Sequence, residues 1–414
     1  MTEEWKKRWR AYVEDRLTDE EKEQVEEELA KLEAYQEFLE EELEKGLNAK
    51  LNKKSHRNSK SSAKSDPASM KLSNALLRWA KWKARLQNTV TALAIFFLLM
   101  IFGSILTGAF YSWGEPNRME IYQDVIRSTV AVTEPNIQFS SSGMNTTPWF
   151  TMRINAQLEK QIGDKLELVG EMSSSFLFNR MSSPERKWLI YTPRNYPLFY
   201  HPEDNLGDPF TKSTWNSLEK LPEGTVSELY LSLDHFYSTA EVLSLLEGKN
   251  LQPLWFAVDT GMEEPYRTGD YRPVDVPFGF PFFPMWHHDD MKLDELTVER
   301  KSFFSTVTIE SRGSPPIEAY GSAEVREENF IKTLQLLTKY ENIAKGVSRY
   351  HDLHLSERLA YIQEKGVRIY GVVVTGPTKE LLKLKEEPWV RRAVLGEVRL
   401  WSWSEEMNST SPEL

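Results

Sequence analysis

Residues Leu86–Gly114 read LQNTVTALAIFFLLMIFGSILTGAFYSWG, with no charged side chain anywhere in the stretch. Thr89–Trp113 is dominated by Ala, Ile, Leu and Phe. As an α-helix these residues rise about 37 Å, against a hydrocarbon core of about 30 Å, so they are long enough to span a bilayer. A helix of this length and purity is unusual inside a soluble protein. A cleaved signal peptide does not fit, because a long polar segment precedes the apolar run and the run exceeds an h-region.

The flanks set the expected orientation. Trp79 and Trp82 stand before the span, Tyr111 and Trp113 at its far end, as interfacial aromatics do. Lys71, Arg78, Lys81, Lys83 and Arg85 precede it with no acid among them, whereas Glu115, Glu120 and Asp124 follow with only Arg118 and Arg127. The positive-inside bias puts residues 1–85 in the cytoplasm and 115–414 outside. Gly103 and Gly108 are not spaced as a GxxxG helix-pairing face.

The chain of 414 residues and net charge −11 has room for two or three domains. Its charge is unevenly placed: residues 1–46 are strongly acidic, and residues 47–85 carry many bases against the single acid Asp66. Direct binding of nucleic acid is not expected, since phosphate neutralisation needs clustered Lys and Arg and the one basic block adjoins the membrane. The absence of cysteine removes disulfides, thiolate metal sites and Cys nucleophiles.

In the head, Thr18-Asp19-Glu20-Glu21 reads as a capping box. It opens a helix whose Val25, Leu29, Leu32, Tyr35, Phe38, Leu39 and Leu43 form an apolar stripe on an otherwise glutamate-rich surface. An earlier short helix carries Trp5, Trp9, Tyr12 and Val13 on one face. Two such helices bury too little to be stable alone. They either pack on themselves or lay their stripes in a partner's groove, and their acidic faces suit a basic partner.

The divisions that follow are a helical head over 1–46, a polar flexible tether over 47–70, a basic juxtamembrane segment over 71–88 and the transmembrane helix over 89–113. A β-rich region (114–222), an α+β domain (223–405) and a tail (406–414) come after. The expected fold class is a short all-α cytoplasmic head, a single transmembrane helix and an α+β extracytoplasmic domain.

The head, the tether, LRWAKWKARLQNTVTALAIFFLL and the following YQDVIRSTVAVTEPN resemble the N-terminal module of membrane-bound regulators of extracytoplasmic-function sigma factors in Gram-positive bacteria. GTVSELYLSLDHFYSTAEVLSLLEGKNLQPLWFAVDTG resembles their C-terminal module. The resemblance covers most of the chain and is nearest to a sigma-M-type anti-sigma factor. It implies that Trp5, Trp9, Tyr12, Val13, Val25, Leu29, Leu32, Tyr35, Phe38 and Leu39 contact a sigma factor. The implied partners are that sigma factor and the lipid bilayer, with a second small membrane protein left open. Many anti-sigma heads carry HxxxCxxC on the second helix. The corresponding stretch, Glu28–Tyr35, has Glu, Leu and Tyr at those positions, so a zinc-free head is expected and no cofactor is assigned.

Beyond the span, Trp149–Leu158 and Leu166–Leu177 read as a hairpin turning at Gln161–Asp164. A strand–helix–strand pattern then occurs twice: Ser227–Leu233, a helix capped by Ser238 and stopped at Gly248, then Leu254–Val258; and Arg368–Val374, a helix from Thr378, then Ala393–Trp401. Phe330–Val347 reads as one amphipathic helix, and helices are expected on one face of the sheet. The aromatic, proline-rich loop Thr260–Met285 is the expected recognition surface, with packing on its own sheet as the alternative.

Catalytic signals are weak, and no catalytic or metal residue is assigned. GxSxG, HExxH and P-loop motifs are absent. His287-His288-Asp289-Asp290 is the best cluster, expected as a solvated turn in which one histidine and an aspartate could reach a metal. His351, Asp352 and His354 read as capping and surface residues before a helix at Ser356. A regulator that holds a sigma factor at the membrane is the leading reading. A membrane-anchored hydrolase using His287–Asp290 and a structural envelope protein are the alternatives.

Overall fold

The computed structural model describes Phe38 and residues 67–189, 199–204, 209–263, 274, 276–302, 305–350 and 352–401. Two compact units divide the chain at Thr91/Ala92. Helix α1 (Pro67–Tyr111) opens on a proline, whose missing N–H costs nothing in a first turn. Among the described residues it is the one helix long and apolar enough to cross a membrane, over Trp79–Tyr111. Leu93, Phe97, Leu98 and Phe102 along it are exposed, as a lipid-facing surface requires.

A short connection leads to α2 (Arg118–Thr133), which the sequence reading did not anticipate. Asn117 closes a capping box with Glu120 at its start. The region expected to be β-rich thus also holds this helix and α3 (Pro209–Lys220). The first sheet has the antiparallel order β1 (Gln138–Thr146), β2 (Thr151–Ile162), β3 (Lys165–Leu177), β4 (Arg180–Met181), with β5 (Glu185–Trp188) also on β3. The expected hairpin is β2–β3, turning at Gly163 with φ +66°.

The second sheet has the order β12 (Val390–Leu400), β6 (Thr225–Tyr237), β11 (Ile369–Pro377), β7 (Gln252–Val258), β8 (Gly279–Pro281), antiparallel throughout. Strand β6 leads through α4 (Thr239–Leu246) to β7, and β11 leads through α8 (Thr378–Leu382) to β12. In each unit the partner's strand lies between the two parallel members. The strand–helix–strand patterns seen in the sequence are therefore two interlocked halves of a split β-α-β, ferredoxin-like plait. Ser238 and Glu241 form the expected capping box, and Gly248 takes φ +73° after the helix. A separate hairpin pairs β9 (Lys292–Ser302) with β10 (Ser305–Gly313).

Both faces of the second sheet are covered. Leu229, Leu231, Phe256, Val372 and Val374 join the core with α4, α8 and α5 (Ala323–Lys339). Tyr230, Trp255, Tyr370 and Val373 pack with Phe199 on the opposite side. Helices lie on one face, as expected, and the end of β2 meets the other through Lys160. The single helix expected over Phe330–Val347 instead begins at Ala323 and breaks at Tyr340, whose φ −116° and ψ 37° leave helical space, before α6 (Glu341–Val347). Helix α7 (Leu355–Lys365) starts from His354 at φ 45°, and the His354 side chain makes no capping bond.

The loop expected as a recognition surface is largely core. Phe278, Phe280, Phe282 and Met285 are buried, and Phe280 packs against Phe330 at 5.0 Å between ring centroids. Residues 279–281 add β8 to the sheet, so the backbone is satisfied there and the aromatic rings face inward. Tyr266 and Tyr271 lie outside the described residues, and Phe283 remains exposed.

Candidate functional site

Of the residues expected to contact a sigma factor, Trp5, Trp9, Tyr12, Val13, Val25, Leu29, Leu32, Tyr35 and Leu39 lie outside the described residues, and Phe38 is helical and exposed. The functional geometry on view is where the end of α1 meets the folded domain, together with the polar seams inside that domain.

The end of α1 is clasped by the first sheet. Gly103, Thr107 and Tyr111 recur every four residues, which puts them on one stripe of the helix. A Cβ added to Gly103 would lie 2.4 Å from the Pro148 carbonyl oxygen, so glycine permits this approach. The Thr107 hydroxyl accepts from the Phe150 amide at 3.1 Å. The Tyr111 hydroxyl donates to the carbonyls of Phe150 at 2.9 Å and Phe178 at 3.1 Å. Phe150 and Phe178 both occupy left-handed backbone, φ 57° and 55°, uncommon for bulky residues. Their stacked rings, 4.7 Å apart, and Phe110 against Phe178 hold those conformations in place.

Behind the clasp, α2 carries a polar face into the rest of the domain. Asp124 accepts from the His288 amide at 2.9 Å, lies 2.9 Å from His288 Nδ1 and pairs with Arg127. Ser128 Oγ is 3.1 Å from His287 Nε2, and the Arg127 guanidinium donates to the Trp286 carbonyl. The expected solvated turn is thus wrong for His287, which is 2% exposed because α2 and α5 close over it. Burial first, then the nearby Arg127 and Lys332 charges, hold His287 below its ordinary value despite Asp124 and Asp290.

His287, Asp289 and Asp290 converge closely enough to hold a metal ion. The Lys332 ammonium already lies among them, 2.9 Å from Asp289 and 2.6 Å from Asp290. A fixed cation there opposes a second one. Ser128, His287 and Asp290 also have the residue types of a hydrolytic triad, but Ser128 is fully buried and Asp290 lies 3.8 Å from His287 Nδ1. No substrate carbonyl can reach that serine.

A third cluster joins the two sheets. Lys160 Nζ lies 2.8 Å from Glu228 Oε2, with both side chains buried. Glu228 also accepts from Asn136 at 2.7 Å and from the Tyr230 hydroxyl at 2.9 Å. Nearby, the Gly163 amide donates to Thr375 Oγ1 at 2.7 Å. Sequence reasoning missed Tyr111, Lys160 and Glu228 as organising residues. For Lys160 a signal existed: the period-two register of β2 puts it on the inward face between Leu158 and Ile162.

A groove of about 320 Å³ runs along the same region, with Arg127, Ala131, Phe139, Trp255, Phe283 and Trp286 among its walls. Its walls mix apolar rings with Arg127, Asn136 and Gln252, and they offer no paired acid and base.

The sigma factor regulator N-terminal family model matches residues 74–166, covering the apolar half of α1, α2, β1, β2 and the Pro148–Phe150 side of the clasp. The sigma factor regulator C-terminal model matches residues 218–397, the second sheet with its helices. The chain is 30% identical over 340 residues to a protein described as the probable anti-sigma-M factor YhdL of Bacillus subtilis (strain 168), covering 81% of this chain and 85% of that relative. No solved structure matches it. Two sigma factor regulator modules, the first of them containing the helix long and apolar enough to cross a membrane, and the alignment of most of the chain with an anti-sigma factor place the chain in the sigma factor regulator family of anti-sigma factors, which act on transcription by regulating a sigma factor.

Proposed function

We propose that the chain sequesters an extracytoplasmic-function sigma factor at the cytoplasmic membrane through residues 1–46. In this reading the head is cytoplasmic, residues 115–414 are outside, and the folded domain's state reaches the head through α1. The Lys/Arg bias before the span supports the orientation. The apolar stripes of the head support the interface, centred on Trp9, Val25, Leu29 and Leu32. The observation that carries the coupling is the Tyr111 hydroxyl bridging two sheet carbonyls: the last turn of the helix cannot shift without breaking it.

A promoter reporter for the sigma factor tests this. Leu29→Asp in the full-length chain releases the sigma factor, and Glu41→Ala does not. Truncating a central interface anchor commonly costs about 2 kcal/mol or more. Tyr111→Phe leaves two carbonyls without their donor, changes the basal or induced set point, and leaves co-purification of the sigma factor with the detergent-solubilised full-length chain intact. Fusions after Lys60 and Arg180 report cytoplasmic and external locations respectively. Repression by Leu29→Asp at the wild-type level overturns the interface, and reversed fusion activities overturn the orientation.

A further inference from the structure

The clasp puts part of the folded domain alongside the membrane helix rather than above it. If the hydrocarbon core begins at Thr89 and is about 30 Å thick, Gly103 lies roughly 9 Å inside its far edge. The Pro148 carbonyl packs directly on Gly103. The turn between β1 and β2 therefore reaches the depth of lipid.

Three further observations agree with that depth. First, the tip exposes large apolar side chains beside the uncharged Asn145, Thr146 and Thr147. Ten large apolar side chains stand exposed after Tyr111 among the described residues, and five are Trp113, Met144, Trp149, Leu177 and Phe178. Met144, Trp149, Leu177 and Phe178 sit at one end of the first sheet, as the pairings Met144–Ile154 and Thr151–Leu177 require. Second, residues 143–153 and 174–182 contain Arg153 and Arg180 but no acid, which suits anionic headgroups.

Third, the backbone of the turn is prepared for a medium without water. The Thr147 amide donates to the Thr151 carbonyl at 2.9 Å, and the Trp149 amide to Thr147 Oγ1 at 3.3 Å. The Phe150 amide donates to Thr107, and the Phe178 amide to the Phe150 carbonyl. Pro148 has no N–H to satisfy. Irregular backbone in lipid needs such pairing of its donors.

We infer that the β1–β2 turn and the end of β3 insert into the leaflet on the domain's side, as a second membrane anchor beside α1. Trp149 and Phe178 are its interfacial aromatics, and Arg153 and Arg180 meet the headgroups. This rests on reading α1 as the bilayer span, and the test separates the two. The full-length chain has no native cysteine, so single cysteines can replace Met144, Trp149 or Leu177 and carry an environment-sensitive fluorophore. Leu99→Cys within α1 and Leu166→Cys at the opposite end of the β2–β3 hairpin are the references. Each protein is reconstituted in phosphatidylcholine–phosphatidylglycerol vesicles.

Blue-shifted emission at the three tip positions, quenched by lipids spin-labelled on the upper acyl chain, is the expected result, with quenching at position 99 by lipids labelled near the chain end and water-like emission at position 166. Tip positions that match 166 while 99 is quenched overturn the inference and leave the span intact. An unquenched probe at 99 overturns the span reading along with it. Shielding at the tip that needs a high protein-to-lipid ratio marks contact between two copies and also overturns lipid insertion.

Discussion

Lys160 and Glu228 form a buried ion pair, 2.8 Å from Nζ to Oε2, between the hairpin next to the membrane helix and β6, an inner strand of the second sheet. Removing one partner from such a pair strands the other charge, at a cost of about 3–5 kcal/mol. Lys160→Met is expected to destabilise the full-length protein by that order. Adding Glu228→Gln, which keeps an acceptor for Asn136 and Tyr230, recovers a large part of the loss. Urea denaturation of the single and double variants measures the difference, and no recovery in the double variant removes the charge from the explanation.

Gly279 is where β8 touches β7. A Cβ there would lie 1.9 Å from the Phe256 carbonyl oxygen and 2.7 Å from the Trp255 ring. The clash is with backbone, so no rotamer relieves it. Gly279→Ala is expected to cost about 1–3 kcal/mol, the range for overpacking. Protection of the β7 amides from hydrogen exchange should fall with it.

His287 provides a pH dependence. Its folded-state value is depressed below the ordinary 6.5, chiefly by burial. The unfolded chain therefore binds the proton more readily, and stability rises with pH across the gap. The contribution is complete above about 6.5 and is lost as pH falls from there toward the lower folded-state value. His201 is depressed in the same direction by burial. Melting temperatures of wild type and His287→Gln should converge as the pH is lowered from 7.5 to 5. Parallel curves would mean His287 does not contribute.

The Lys332 ammonium pairs with both Asp289 and Asp290 and offsets part of their charge. Zinc or manganese should leave the wild-type melting temperature unchanged. A saturable rise that disappears in His287→Gln would instead make the turn a metal site.

The elements most legible in the sequence were those set by local chemistry. The charge-free run announced α1, Ser238-Thr239-Ala240-Glu241 announced α4, and two β-rich runs around the Gln161–Asp164 turn announced the β2–β3 hairpin. Helix α2 was missed because its buried side includes Asp124, Ser128, Thr129 and Thr133, which weaken the apolar stripe. Asp124 and Ser128 are polar because their partners, His288 and His287, arrive from far along the chain, whereas Thr129 and Thr133 donate to carbonyls of their own helix. Phe278, Phe280 and Phe282 were misread for the opposite reason: proline-rich spacing hid a strand that forms only against β7. The clasp was illegible because it depends on backbone carbonyls, which no side-chain pattern records.

The position of β6 has a consequence for biosynthesis. Its partners β11 and β12 both come late, and β12 follows about 150 residues after it. At ordinary synthesis rates that interval lasts about 8–30 s. Strand β6, buried at its first nine positions in the finished fold, spends that time with at least one edge bare. A nascent chain stalled or cut before Val390 thus loses more than a terminal strand, since it leaves the middle of the sheet as a sticky edge. Such fragments should be found in aggregates or degraded rather than accumulating as shortened regulators.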